Sequence, residues 1–515
     1  MNSILKRVEQ LSVNALILIL TIISILIAAR VHYIQLGSIN NDFVIYHEAA
    51  RLFAANAWQE GFKLFGWPLY SMLIAAIHKT TSLNLQTSAQ ILSVALFALT
   101  TVSFLKIIEL AGGNHKTLLA GALILFSSQY IVGDVLPMLV RDHGFWGFFL
   151  LSLVFFIRFY QSHTLKHALL WQLAAIAALL FRIETITYLL LLPSLVLVYG
   201  NQSISRRLEL FLKAHSLTLI IALAITAAII FSPDLSVKDL GRLKEIFNAN
   251  LYEKATQKLL ERADIMASTV LGNHLEEFAI EGLLMTFAFI IIAKIISTSG
   301  WIAIGLAVMT FRKKMAAINP RTRQVLMASM LIALLNMLLI ITKVFVLSGR
   351  YVIALSLLVM IFAAFYMAHI LKYVTNDSKD TVYKKWIVIT LIVIMCLSLI
   401  KNILPKADSS NFEQDAIAWL KENSLIDQRT YFSTPRLRFY ANQNFTDLNH
   451  DSWQAVSKLR SNQSEASYER LVILIDETPE ARTTELKNYL TEYVVAKEFY
   501  SPKNKKKVII FVRSQ

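Results

Sequence analysis

Asp42 opens the stretch Asn41-Asp42-Phe43-Val44-Ile45-Tyr46-His47-Glu48, a short way past the apolar run Leu11–Ala29. A run of that length is enough to cross a bilayer. A carboxylate at the bilayer surface is costly unless it has a task. One task is general-base catalysis, in which it takes the proton from a hydroxyl as that hydroxyl attacks. The competing reading is that Asp42 merely caps the helix that follows it.

Three further groups hold charged side chains at the ends of apolar runs. They are Arg141-Asp142-His143, Phe181-Arg182-Ile183-Glu184 and Ser348-Gly349-Arg350-Tyr351, with Lys343 one to two turns before the last. Each has an ordinary explanation: a local ion pair, interfacial residues, or an arginine that snorkels to the surface. The first and last also have a chemical one. Asp142 supplies a second carboxylate with a cation beside it. The guanidinium of Arg350 is planar, always charged and able to bind two oxygens at once, which suits a lipid phosphate. Outer carboxylates, outer cations and a covering helix fit an enzyme whose donor keeps its phosphate at the interface and its lipid in the bilayer.

The elements that hold these groups follow from periodicity. Phe43, Tyr46, His47, Ala50 and Phe53 recur at helical spacing and predict an amphipathic helix lying on the membrane surface. A second surface helix is expected from Gly66-Trp67-Pro68-Leu69-Tyr70, with proline in its first turn. Two such helices in one loop would roof a cavity between membrane and water.

The chain has 515 residues, 56% of them hydrophobic, with mean hydropathy +0.54. Soluble domains run nearer about 45–50% apolar. The apolar runs place eleven spans at 11–29, 88–108, 117–133, 144–160, 168–181, 185–199, 217–232, 286–311, 324–347, 352–371 and 387–403. The fifth and sixth are short and the eighth is long, as internal breaks or surface helices would make them. Strand-like alternation is absent, which argues against a β-barrel. The run 11–29 is too long for a signal-peptide core and reads as a retained anchor. The one cysteine, Cys396, excludes a disulfide framework and a cysteine metal cluster.

The net charge is +15. With the N-terminus in the cytoplasm, 18 basic and 5 acidic residues fall on the cytoplasmic face, so nearly all of the excess lies there. That is the positive-inside pattern. The charge is a topology signal, and with no RNA- or DNA-binding motif beside it, nucleic acid is excluded as a partner. It leaves three features outside: the loop near 30–87 with Asp42, a loop near 233–285, and the tail. The expected domains are a transmembrane one, 1–403, and a soluble α/β one, 404–515. In the tail, Phe412–Asn423 and Glu485–Tyr493 read as helices, and Arg470–Asp476 and Lys507–Arg513 as strands.

On these residues the chain resembles the polytopic GT-C glycosyltransferases, the superfamily of protein O-mannosyltransferases and of bacterial aminoarabinose and lipopolysaccharide sugar transferases. The match lies in Asp42 in the first outer loop, the Trp67-Pro68-Leu69-Tyr70 stretch, Asp142 in the next outer loop and Arg350-Tyr351 opening a late span. The resemblance covers roughly residues 1–370. It implies an all-α polytopic catalytic domain in the inner membrane of a bacterium. It also implies transfer of a sugar, with inversion, from a polyprenyl-phosphate donor to a glycan, lipid or protein acceptor. Asp42 would be the base and Asp142 would orient the acceptor or a cation. Arg350, Arg141 and Lys343 would hold the donor phosphate, with Tyr46, His47, Trp67, Tyr70, Arg182, Glu184 and Tyr351 in support. A divalent metal cofactor is less secure, because Asn41-Asp42 stands where the family often has an acidic pair. The rival readings are a transporter or lipid-linked glycan flippase using Lys294, Asn336 and Lys343 within its spans, an O-antigen ligase or polymerase, and a non-catalytic subunit.

Overall fold

The structure, a computed structural model, describes residues 7–35, 39–198, 202–231, 251–272, 274–312, 318–375, 382–405, 411–427, 429–443, 468–475, 479–502 and 504–514. Six members of the cytoplasmic charge set (Lys6, Lys313, Lys314, Asp377, Lys379 and Asp380) lie outside these residues, as do 232–250 of the long loop. The chain divides into two compact units. One comprises Met1–His32 and Thr87–Leu404, the other Tyr33–Gln86 and Pro405–Gln515. The loop after the first span therefore folds with the tail.

The first unit is a bundle of apolar helices. Among the described residues seven are long and apolar enough to cross a membrane, and up to nine if each bent pair counts as one span. They include Val13–Ile34, Leu85–Leu110, Asp142–Ser162, Pro320–Val344 and Val382–Ile403. The expected fifth and sixth spans are the shorter helices Leu165–Phe181 and Thr185–Val198. The expected third is broken: His115–Ser127 turns by 42° into a wound segment, Gln129–Met138. The expected eighth is also two helices, Ala279–Ser299 and Trp301–Arg312. Gly300 separates them at φ +81°, a conformation that L side chains rarely adopt.

The Asp142–Ser162 helix and the Leu165–Phe181 helix pack against each other. His163 closes the first in a left-handed turn, its N–H donating to the Phe159 carbonyl at 2.7 Å. Across their seam Phe156 meets Trp171 edge-on at 5.1 Å and Phe148 stacks on Phe181 at 5.8 Å. Gly144 lets them meet, since a Cβ there would stand 2.2 Å from the Phe181 ring. Small residues serve such close approach between helices in membranes.

The second unit is built on a four-stranded sheet of β1 (Thr430–Phe432), β2 (Arg470–Ile475), β3 (Tyr493–Tyr500) and β4 (Lys507–Arg513), in the order β1-β2-β4-β3. β1 runs parallel to β2, and the other neighbours are antiparallel. Alternation along β2 and β4 buries both faces. Val472, Leu474, Val508 and Ile510 pack with Phe412, Ala416 and Leu420 of helix Asn411–Glu422. Leu471, Ile473, Ile509 and Phe511 pack with Leu486 and Leu490 on the opposite face. One expectation shifts here. The helix expected over Glu485–Tyr493 spans Pro479–Tyr489, and Tyr493 already opens β3. Val494 and Val495, β-branched, suit the strand they begin.

The remainder of this unit is the loop after the first span. It holds three helices, Asn41–Ala54, Trp58–Leu64 and Leu69–Thr81, where two were expected. Pro68 stands at the N-cap of the third.

Candidate functional site

Four charged side chains meet in the first unit where helix ends converge. Asp142 begins the Asp142–Ser162 helix, and Arg182 and Glu184 fill the turn between Leu165–Phe181 and Thr185–Leu191. Arg350 sits in a one-turn helix, Gly349–Tyr351, just ahead of Ile353–Ile370. Arg182 donates from Nη1 to Asp142 Oδ1, from Nη2 to Glu184 Oε1 at 2.9 Å and from Nε to Glu184 Oε2 at 3.2 Å. Arg350 Nη1 stands 3.5 Å from Asp142 Oδ2. One carboxylate thus faces two guanidinium groups, one on each oxygen. Arg182 Nη1 also reaches the Arg350 carbonyl at 3.4 Å, and its Cζ lies 4.5 Å from the centre of the Tyr351 ring. That is cation–π range.

Exposure separates the roles. The side chains of Asp142 and Arg182 are 3% and 7% exposed, Glu184 is 17% and Arg350 is 30%. Arg182 is spent on two carboxylates and the Tyr351 ring. Arg350 lies at the rim, where a planar donor fork can reach a bound oxyanion. A small cleft lined by Arg182, Glu184, Arg350, Tyr351 and Asn336 adjoins them. Arg141, immediately before Asp142, adds positive charge near both carboxylates. Lys343 is exposed in the last turn of Pro320–Val344.

Two polar contacts hold this network in place. Asn336 Nδ2 donates to the Glu184 carbonyl at 3.1 Å, and its Oδ1 accepts from Thr187 Oγ1 at 2.9 Å. The other is a buried chain of three side chains. His143 Nε2 lies 3.2 Å from the Val135 carbonyl, and Ser93 Oγ lies 2.9 Å from both His143 Nδ1 and His32 Nε2. The carbonyl can only accept, so His143 Nε2 carries the proton and Nδ1 accepts from the Ser93 hydroxyl. His32 Nε2 then donates to Ser93. The chain ties the first two spans to the residue after Asp142. From the sequence Asn336 enters only in the rival transporter reading, and His32 and Ser93 do not enter at all. A histidine ending the first apolar run was the available signal.

In the second unit, Asp42 lies in the first turn of Asn41–Ala54 and is partly exposed. The N-cap is Asn40, whose side chain accepts from the Asp42 N–H at 2.8 Å. Asp42 is thus not the N-cap residue. Its carboxylate sits where the helix dipole favours negative charge. Tyr46 is buried between Phe65 and Tyr70, at ring distances of 5.2 and 5.3 Å. His47 packs edge-on to Phe43 and Phe439, at 5.7 and 5.0 Å. Burial, with help from Arg51, pushes its imidazole down to about 4 against the opposing pull of Glu48. Trp67 is buried ahead of Leu69–Thr81.

The structure therefore brings together Asp142, Arg182, Glu184, Arg350 and Tyr351 in one unit, and Asp42, Tyr46, His47, Trp67 and Tyr70 in the other. Among the described residues no group of three His, Cys, Asp or Glu side chains is placed to hold a metal ion.

No protein-family profile and no curated relative matches the chain. Solved structures do. The fold is similar to that of ArnT from Cupriavidus metallidurans, in a crystal structure bound to undecaprenyl phosphate. The identity is 12%, the TM-score 0.51, and 96% of this chain and 97% of that one are covered. It is also similar to the archaeal oligosaccharyltransferase AglB from Archaeoglobus fulgidus, in complex with an inhibitory peptide and a dolichol-phosphate. There the identity is 11% and the TM-score 0.54, with 97% of this chain and 74% of that one covered. The chain shares the fold of these two structures, mostly α, with helices long and apolar enough to cross a membrane and a small α/β unit at its C-terminal end.

Proposed function

We propose that this protein is a membrane glycosyltransferase that moves a sugar from a polyprenyl-phosphate donor to an acceptor hydroxyl on the outer face of a bacterial inner membrane. The observation that carries this reading is Arg350. It is a partly exposed guanidinium at a helix end, backed by the buried Asp142–Arg182–Glu184 network, in a fold whose solved neighbours bind undecaprenyl phosphate and dolichol-phosphate.

The chemistry follows from charge. A sugar phosphodiester carries one negative charge. When the bond from the anomeric carbon to the phosphate oxygen breaks, its electron pair stays on that oxygen and the lipid phosphate gains a second charge. A fixed guanidinium lowers the barrier by stabilising this charge as it develops. Asp142 holds Arg350 from behind, and Arg182 holds Asp142. The acceptor oxygen attacks the anomeric carbon from the opposite face, which inverts it, and Asp42 takes the proton that the oxygen loses. The acceptor is a glycan, lipid or protein hydroxyl. The flippase reading loses one of its residues, because Asn336 is engaged at the Glu184 turn.

The test uses purified protein in nanodiscs and a panel of undecaprenyl-phosphate hexoses and pentoses with cell-envelope acceptors. Release of undecaprenyl phosphate that depends on the acceptor supports the reading. Transbilayer movement of the same lipids without release would replace it with the flippase.

A further inference from the structure

The tail grips the entry to the Asp42 helix. Ile39, three residues before Asp42, is 4% exposed. Its N–H donates to the Tyr440 hydroxyl at 3.2 Å, and its carbonyl accepts from Arg436 Nη1 at 3.4 Å. Both polar groups of one backbone residue are thus bound by the short tail helix Pro435–Tyr440. The Arg436 fork is itself fixed by Glu413, whose side chain is fully buried. Nε donates to Oε2 at 2.6 Å, and Nη2 pairs with Oε1. Phe439, between them on the same helix, packs edge-on against Phe43 and His47, at 6.4 and 5.0 Å. Phe43 lies in the first turn beside Asp42, and His47 lies one turn further on.

We infer that the tail is a positioning element for Asp42: Arg436 and Tyr440 lock the backbone ahead of the helix, and Phe439 fixes its rotation. The inference rests on the proposed role of Asp42 and adds residues that act through it. The energetics favour a lock over incidental contact. A buried backbone group left without a partner loses its full solvation, so Ile39 is ordered only while both tail contacts hold. Glu413 leaves Arg436 little freedom, because releasing the guanidinium would strand a buried carboxylate. A base must be held to a fraction of an ångström to act, and a first helical turn alone frays.

The test uses the full-length protein in nanodiscs. Tyr440→Phe keeps the ring and removes only the oxygen that accepts from Ile39. Glu413→Gln/Arg436→Gln, made together, weakens the other contact and strands no charge. Hydrogen exchange in a peptide spanning residues 39–47 should quicken about two- to tenfold in each, the range set by one neutral hydrogen bond, while exchange in β2 and β4 stays unchanged. With an undecaprenyl-phosphate sugar that turns over in the panel, kcat should fall and KM for the donor should hold. A merely structural contact predicts neither the confinement of the exchange nor the split between kcat and KM. Unchanged exchange in both variants overturns the inference. So does unchanged kcat in both when Asp42→Asn is inactive. If Asp42→Asn is itself fully active, the base reading fails first and the inference fails with it.

Discussion

Asp142 and Arg182 stand 40 positions apart in the chain and form a buried ion pair, with side chains 3% and 7% exposed. The pair fastens the start of one helix to the end of the next. It also turns the second oxygen of Asp142 toward Arg350. The cation proposed to bind substrate is thereby held through a carboxylate by a cation that does not.

Removing one member of that pair should cost more than removing Arg350. Asp142→Asn leaves the buried Arg182 guanidinium with Glu184 as its charged partner, beside the Arg350 carbonyl and the Tyr351 ring. Breaking a buried pair in this way typically costs about 3–5 kcal/mol. Arg350→Ala, at the partly exposed rim, should lower the unfolding midpoint far less. Thermal unfolding of the purified variants in one detergent decides it, and equal midpoints would show that the network carries little stability.

Arg350 should bind donor phosphate through its fork as well as its charge. A charge-assisted hydrogen bond contributes roughly 1.5–3 kcal/mol, about ten- to a hundredfold in affinity. Arg350→Ala should weaken binding of an undecaprenyl-phosphate sugar by that factor. Arg350→Lys should weaken it less, since it keeps the charge and loses the planar geometry. Equal affinity in wild type and Arg350→Ala would take Arg350 out of the site.

His47 predicts a pH dependence. Its imidazole is pushed from the ordinary 6.5 down to about 4 by burial. Between those values the unfolded chain binds a proton that the folded chain refuses, so folding stability falls as pH falls through this window. Above it the contribution is constant. His47→Phe, which suits the aromatic surroundings, should lose part of this slope while other histidines keep theirs. Unfolding midpoints of both proteins across the window provide the comparison, and parallel curves would rule out His47 as a source.

The sequence made the parts of the site legible and left their pairing hidden. Asp142, Arg182-Glu184 and Arg350-Tyr351 each stand at the edge of an apolar run, where charge draws notice. Arg182 meets Asp142 and the Arg350 carbonyl across 40 and 168 positions, and no local periodicity encodes such separations. The competing reading of Asp42 as a cap fails for a local reason: Asn40 and Asp42 are both good caps, and Asn40 is the one taken. Of the two broken spans only the eighth shows as an odd length; nothing in the third, expected over 117–133, marks the winding of Gln129–Val135. The union of the Asp42 loop with the tail was beyond reach, because it rests on Ile39 meeting Arg436 and Tyr440.

The charge pattern predicts a cytoplasmic N-terminus and an outer C-terminus. A reporter active only outside the cytoplasm, fused after Gln515, should be active. Activity of a cytoplasm-only reporter at the same position would require an even number of spans or the opposite orientation.

The central claim is that Asp42 takes a proton in the transition state. Asp42→Asn keeps the size and much of the local hydrogen bonding of the side chain, with Asn40 still capping the helix, but it cannot accept that proton. A positioned base is typically worth about 10²–10⁴-fold in rate. The measurement is kcat for release of undecaprenyl phosphate from a donor sugar, at matched expression and unfolding midpoint. A fall of that size with donor affinity unchanged is the predicted result. Wild-type turnover by Asp42→Asn would contradict the account.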